Sequence, residues 1–447
     1  MIVRPRQVGA RGAHRAFDDV LSRSSAFAEG QQWLCFIWGL YIGLRILALI
    51  PEVALTPDAD WYYDQAISLA QGRGYMNGEG EPSAFWPPGW PLTLSVIFRV
   101  FGASPLVVGL FNLAASLVIG LMMLKLGRLL SGNELAARTG LLLLAVYPNA
   151  IAYVPLALTE VYYTALLMLG CWILLSRTHW RSLLLAGVIF GVATLVKAQT
   201  IVVIPAIFAI DWLRAAPFWR RFPALFGQGA LVLLVALLTI APWTIRNYQQ
   251  LGEFVPVSTN GGITLLTGNH DFATGDYSPD APVVREVQNR PGLSEVERDA
   301  EAGRIAKEWI ADNPQRFLSL SARKILRLWL PDGEGEWAYQ SGAPSYYEYQ
   351  RLYRTLRYAN QAYYALLMIG FLAAFMMRTE LRLRVGQRWA GWWLLPYMLA
   401  LYLTLICVVF SGQSRFHYPI MPFICLTCGW LLTLHLSSAR NPAMQRL

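Results

Sequence analysis

The stretch QQWLCFIWGLYIGLRILALIPEVALTPDADWYYDQ, residues 31–65, sets the reading of the whole chain. Positions 33–51 carry one charge, Arg45, over a length that suffices to cross a bilayer, roughly 17–25 apolar residues. Three carboxylates follow at once, Asp58, Asp60 and Asp64. An apolar run that opens onto an acidic loop predicts a first transmembrane helix and an outside face.

Composition agrees. The 447 residues are 55% hydrophobic and 15% charged, whereas a soluble domain has about 25% charged residues. Spans are expected at about 33–51, 104–127, 136–150, 158–176, 182–196, 198–213, 224–244, 361–377, 390–411 and 417–436. Arg4, Arg6, Arg11, Arg15 and Arg23 precede the first run, with no small-residue cleavage site after it, so it reads as an uncleaved span. The net charge of +9 is explained by a positive-inside bias rather than by nucleic acid. With the amino terminus inside, Lys125, Arg128 and Arg138 fall on the cytoplasmic side. So do Arg177, Arg181, Arg214, Arg220, Arg221, Arg378, Arg382, Arg384, Arg388, Arg440 and Arg446. The first outside loop, 52–87, holds six acids against Arg73 alone.

This predicts a cytoplasmic basic segment 1–32, a transmembrane module 33–244 with outside loop 52–103, an outside cap 245–360, helices in 361–437 and a cytoplasmic tail 438–447. The first loop should hold a helix over about 57–70, a glycine-rich turn at 72–80 and a juxtamembrane helix over 88–101. Residues 295–330 should be helical. All five cysteines fall in apolar runs, and Cys425 and Cys428 lack zinc-ligand company, so neither a disulfide framework nor a metal site is expected.

Polar residues gather at the outer ends of the spans: Asp58, Asp60, Glu160, Lys197, Arg246, Asn247, Arg415 and His417. Each also has a bland reading. Thr56 suits an N-cap, Pro57 the first helical position, and early acids complement the helix dipole. Thr159 and Glu160 could open a helix in the same way. Arg246 and Arg415 could snorkel beside aromatics, and His417 could be a satisfied interfacial histidine. Lys197 sits in a tight outer turn, Lys324 on an interfacial helix, and Arg45 inside the first span, where a lone charge is costly.

Helical phase separates the three acids of the first loop. At about 100° per residue, Ala59, Tyr62, Tyr63, Ala66, Leu69 and Ala70 form one face. Asp58 lies on its edge, while Asp60 and Asp64 point away toward water. No phosphate loop or hydrolase motif is present, so an energised pump is not expected.

These segments resemble the GT-C superfamily of polyprenyl-phosphate-sugar glycosyltransferases. The likeness is to the bacterial branch related to protein O-mannosyltransferases and the aminoarabinose lipid A transferase. PDADWYYDQAISLAQGRGY with WPPGWPL looks like the acidic first loop and its juxtamembrane helix. YPNAIAYVPLALTE looks like the second acidic position. PWTIRNYQQLGEFVPVSTNGGITLLTGN and SRFHYPIMPF look like bacterial signatures. The resemblance implies an all-α polytopic membrane protein, a GT-C-like bundle of about ten helices with a small, mostly helical outside cap. It also implies a catalytic acid at Asp58, with Asp60 as the fallback, and a second acid at Glu160. The sequence departs from the pattern at Trp86, where the aminoarabinose branch has lysine, and at Lys197, where many members have arginine before proline. The cation for the donor phosphate is therefore sought among Arg246, Arg415, Lys324, Lys197 and Arg45, in that order. Tyr62, Trp86, Asn247 and His417 are the expected acceptor or sugar contacts.

The expected activity is inverting transfer of a sugar from a polyprenyl-phosphate carrier to a hydroxyl on a glycolipid, polysaccharide or protein. It would occur at the outer face of a bacterial inner membrane, with both termini cytoplasmic, no metal, and the lipid-linked sugar as donor substrate. The rival is a transporter or flippase of a lipid-linked or anionic substrate, which predicts charges through the depth of the spans and an internal repeat. A non-catalytic assembly protein of the envelope would not need Asp58.

Overall fold

The computed structural model describes residues 30–215, 217–384 and 391–438. The amino-terminal arginines 4 to 23, Arg388, Arg440 and Arg446, and the side chains of Arg382 and Arg384, lie outside the described residues. Among those described, the regular structure is helical, apart from one bridge between Met76 and Pro82.

The first apolar run forms α1 (Gln31–Leu47). The segment expected outside then folds into α2 (Pro57–Ala70), a turn and α3 (Gly89–Phe101), as the sequence predicts. Gly72, Gly74 and Gly80 in that turn have φ of 75°, 95° and 80°, a region that side chains with a Cβ resist. Pro57 stands at the start of α2 as expected. Thr56 takes the N-cap position by backbone conformation only; its buried side chain makes no capping bond.

Among the described residues, five helical segments are long and apolar enough to cross a membrane: Pro105–Ser131, Trp219–Leu251, Gln350–Glu380, Trp392–Val409 and Ser414–Leu434. They correspond to α4 (Pro105–Ser131), α10 (Phe218–Leu251), α17 (Gln350–Arg384), α18 (Leu395–Val409) and α19 (Met421–Ser438). The shorter apolar helices α7 (Glu160–Leu175) and α8 (Trp180–Val196) join α1 to complete the bundle of a multi-pass membrane protein. The run expected at 136–150 is divided into α5 (Glu134–Ala145) and α6 (Pro148–Ala152). Pro148 has no N–H to continue the ladder, and a new helix starts on it. The run at 198–213 is likewise a 3₁₀ turn, Ala198–Val202, followed by α9 (Val203–Arg214).

Within the bundle α5 packs on α19, and α7 lies between α4 and α8. α8 runs against α10. A Cβ at Gly187 or Gly191 would lie 2.6 Å from Val235 or Thr239 of α10, so these two small residues, four apart, set the close approach.

Five of the basic residues assigned to the inside, Arg128, Arg138, Arg177, Arg214 and Arg378, are linked to one another. Arg128 and Arg138 both pair with Glu134, and Arg378 donates to the Leu130 carbonyl. Arg177 and Arg214 share Asp211. Neighbouring Trp392 and Trp393 join the two groups through the Arg214 and Arg378 guanidinium groups.

The cap comprises α11 (Gly261–Thr267), α12 (Pro282–Gln288), α13 (Glu295–Asp312), α14 (Pro314–Trp329), α15 (Glu334–Gly342) and α16 (Pro344–Glu348). The helix expected over 295–330 breaks where Pro314 opens α14. α13 starts with a capping box, Ser294 with Glu297. Because α10 continues to Leu251 and α17 begins at Gln350, both helices flanking the cap extend out of the bundle into it. The five cysteines are free; Cys171, Cys407, Cys425 and Cys428 are buried.

Candidate active site

Asp58 is the second residue of α2, on the edge of the face that buries Ala59 and Ala66. Asp60 and Asp64 are exposed, so helical phase sorts the three acids correctly. The Gln65 amide fixes the helix to the glycine turn, donating to the Met76 carbonyl at 2.6 Å and accepting from its N–H at 3.2 Å. Arg99 of α3 binds the carbonyls of Leu69 and Ala70 at the far end of α2.

Asp58 Oδ2 lies 2.5 Å from Arg415 Nη1. A second pair stands nearby, with Lys197 Nζ 3.3 Å from Glu160 Oε1. Consecutive antiparallel helices create it. Glu160 is the first residue of α7 and Lys197 follows the last of α8, so a helix amino terminus meets a carboxy terminus. Each charge is the one its helix dipole favours. Glu160 is 2% exposed and makes no helix cap through Thr159, whose hydroxyl instead turns to the Glu160 carboxylate at 3.4 Å. The Phe416 ring stands between the cations, 5.4 Å from the Arg415 guanidinium and 5.9 Å from Lys197 Nζ.

Both pairs face a cavity of about 960 Å³. Tyr62 and Trp86, two of the residues expected as acceptor or sugar contacts, line its wall. Leu167, Leu237, Ile240, Leu399, Leu403 and Ile406 supply much of the apolar remainder. Burial, and then the Asp58 carboxylate, hold the Tyr62 phenol above its ordinary pKa. It therefore stays a hydrogen-bond donor at neutral pH.

The sequence did not single out two further wall residues, Tyr277 and Ser411. Burial and Asp58 also raise the Tyr277 pKa. The Ser411 hydroxyl and the Arg415 Nε are buried with no hydrogen-bond partner. Such atoms are costly unless something binds them.

The other expected site residues stand away from this wall. Arg246 donates to the carbonyls of Ser83 at 2.6 Å and Tyr75 at 2.8 Å, tying the first-loop turn to α10. Asn247 is fully buried and donates to the Val255 carbonyl. Lys324 is fully buried on α14, bound to Asn269 and to the Val408 and Val409 carbonyls at the end of α18. Burial pushes its ammonium down to about 8. Arg45 lies inside the bundle, on the Tyr41 ring and the carbonyls of Tyr41 and Leu144. Of the five ranked cations, Arg415 and Lys197 reach the cavity, whereas top-ranked Arg246 does not.

His417 is buried two residues beyond Arg415. Its Nδ1 lies 2.6 Å from the Leu328 carbonyl and its Nε2 3.1 Å from Asp332 Oδ1. Both partners are acceptors, so whichever nitrogen carries the proton has one to donate to. The ring is sandwiched between Trp329 and Tyr364, at 5.8 and 5.0 Å. Asp332, absent from the expected site, also accepts from Tyr147, Asn149 and Asn360. Burial alone would raise the Asp332 pKa, but the bonds from His417, Tyr147 and Asn360 outweigh it and leave the carboxyl below its usual value. This cluster fixes the segment that carries Arg415 into the cavity.

The helical bundle, the segment between α10 and α17 and the charged cavity they share belong to a multi-pass membrane protein, and its fold is the one seen in the solved structures that follow. Residues 86–245 match the family model of dolichyl-phosphate-mannose-protein mannosyltransferase. No curated protein matches the sequence. Among solved structures, the oligosaccharyltransferase of Archaeoglobus fulgidus tethered to an acceptor peptide with the NVT sequon superposes with a TM-score of 0.54 at 12% identity. The match covers 93% of this chain and 51% of that one. The archaeal oligosaccharyltransferase AglB from Archaeoglobus fulgidus, in complex with an inhibitory peptide and a dolichol-phosphate, gives 0.54 at 14% identity, over 92% and 52%. ArnT from Cupriavidus metallidurans bound to undecaprenyl phosphate gives 0.44 at 13% identity, over 92% and 79%. The chain thus spans about half the length of the archaeal structures it matches.

Proposed function

We propose that this protein is an integral-membrane glycosyltransferase that moves a sugar from a polyprenyl-phosphate carrier to an acceptor hydroxyl. The observation that carries this reading is one cavity with two unlike parts: an apolar wall that suits an isoprenoid chain, and two carboxylate–cation pairs that suit the reacting end. The mannosyltransferase family match over 86–245 agrees with it, as does the dolichol-phosphate bound by the archaeal fold relative.

In this mechanism Asp58 takes the proton from the acceptor hydroxyl, and that oxygen attacks the anomeric carbon. The bond from that carbon to the phosphate oxygen breaks, and the polyprenyl phosphate leaves with the electron pair. A single displacement of this kind inverts the anomeric centre. Arg415 meets the phosphate through the guanidinium nitrogens that Asp58 does not use, Lys197 adds a point charge, and the idle Ser411 hydroxyl supplies a donor. These donors stabilise the leaving phosphate as its charge develops. Glu160 holds Lys197 in place. The reaction face is the outer one, opposite the arginine-rich end of the bundle, in a bacterial inner membrane.

The test is transfer from a purified polyprenyl-phosphate sugar by the detergent-solubilised protein, with Asp58→Asn and Asp60→Asn as variants. Activity lost in the first and kept in the second supports the reading. Full activity in Asp58→Asn removes Asp58 as the base.

A further inference from the structure

A second cavity, of about 590 Å³, lies between the first-loop turn and the cap, and nothing in the mechanism uses it. Trp61 and Phe85 give it aromatic surface, and Asn77, Gln250, Gln288 and Arg298 give it planar polar groups. Among the described residues, the side chains of Gln250, Gln288 and Arg298 make no hydrogen bond or ion pair, and the Arg298 Nε is buried without a partner. The Asn77 carbonyl is spent on the N–H groups of Glu79 and Glu81, which leaves its NH₂ to face outward.

This cavity shares a wall with the first. Trp61 and Phe85 meet the Trp86 ring at 6.3 and 5.3 Å, and Trp86 lines the other side. On α11, Ile263 faces the second cavity while its neighbours Gly261 and Thr264 face the first. A molecule held in one is therefore next to the reacting end of the other.

We infer that this second cavity is the acceptor subsite and that it takes a hydroxyl-rich carbohydrate. The inference rests on the glycosyl-transfer reading. Aromatic faces pack against the C–H face of a sugar ring. Side-chain amides and a guanidinium fork bond neighbouring hydroxyls in pairs. The carboxylates of Glu81 and Glu295 share the wall with Arg298, so the site does not favour a polyanion. Nor does it offer a sheet edge or an apolar groove, which peptide recognition commonly uses.

The experiment passes the full chain in detergent over an array of free neutral and acidic bacterial-envelope oligosaccharides, with serine-rich peptides as comparators. Neutral oligosaccharides are retained over peptides. Gln288→Ala and Arg298→Ala each weaken retention about tenfold. Gln250→Ala, at an exposed position, weakens it without risk to folding, and the melting temperature of each variant checks the rest. Retention of peptides alone, of no glycan, or of glycans equally by all three alanine variants overturns the subsite. Transfer is measured in parallel. Glycan retention without transfer from any polyprenyl-phosphate sugar removes the glycosyl-transfer reading alone. Transfer that depends on Asp58, with acceptor KM unmoved in the alanine variants, removes the subsite alone.

Discussion

Arg415 Nη1 donates to Asp58 Oδ2 at 2.5 Å, across 357 residues of sequence. The pair joins the first-loop helix α2 to the start of the last apolar helical segment and, in the proposed mechanism, sets the base beside the group that meets the phosphate. Replacing Asp58 with asparagine keeps the shape and removes the proton acceptor. Glycosyl transfer should fall by roughly 10²–10⁴-fold, the usual contribution of a general base. Asp60→Asn and Asp64→Asn, whose side chains face water, should stay near wild type.

Arg415 is expected to act on the donor rather than the acceptor. Arg415→Ala should raise the donor KM by about 10–100-fold, the loss of a charge-assisted hydrogen bond. Arg415→Lys should recover only part of it, because an ammonium lacks the fork. Titration with polyprenyl phosphate in the absence of acceptor separates the two; unchanged affinity in Arg415→Ala would place the phosphate elsewhere.

Glu160 and Lys197 differ from that pair in burial. Removing Lys197 leaves the Glu160 carboxylate, 2% exposed, without its paired ammonium. Lys197→Met should cost ~3–5 kcal/mol of stability. Glu160→Gln combined with it should return much of the loss. Thermal unfolding of the single and double variants in detergent reads the difference; equal melting of the two would show that the pair is not coupled.

Much of the site was legible, and the limits follow from range. Asp58 could be told from Asp60 and Asp64 because helical phase is local to α2. The sequence ranks Arg246 ahead of Arg415, yet no local signal separates them, since each is an arginine near aromatics at the end of an apolar run. Their difference lies in distant partners, the carbonyls of Tyr75 and Ser83 for one and Asp58 for the other. Asp332 is one of three acids in PDGEGE, residues 331–336, with nothing local to single it out. Only folding brings it Tyr147, Asn149, Asn360 and His417 from three separate segments. The divided helices at Pro148 and Pro314 were a local signal that apolar run length overrode in the first case.

The cap carries its own pH signature. Asp299 sits behind the first turn of α11 and accepts from the Ile263 N–H at 2.9 Å. Burial raises its pKa from the ordinary 3.8 to about 6, against the bonds from Ile263 and Gly262. Between those values the folded state holds a proton that the unfolded chain has released. Stability from this group therefore falls as pH rises through that window and levels off above it. Asp299→Asn keeps the acceptor and removes the titration. The gap in melting temperature between variant and wild type should widen in the variant's favour from about pH 4 to about pH 7. A constant gap would mean that Asp299 titrates alike in both states.

The His417–Asp332 pair should govern Arg415 from behind. Both side chains are fully buried, and the ring bridges the Leu328 carbonyl to the carboxylate. His417→Ala would take a hydrogen-bond partner from the buried Asp332 and open a gap between Trp329 and Tyr364, at a cost of ~3–5 kcal/mol. Activity measured well below the melting temperature should fall as well, through donor KM, because the segment bearing Arg415 loses its anchor. Asp332→Asn in the His417→Gln background removes the carboxylate and the ring while keeping amide hydrogen bonds to the same neighbours. That double variant should be more stable than His417→Ala and should hold donor KM closer to wild type. If His417→Ala melts lower but binds polyprenyl phosphate as the wild type does, the cluster supports the fold without positioning Arg415.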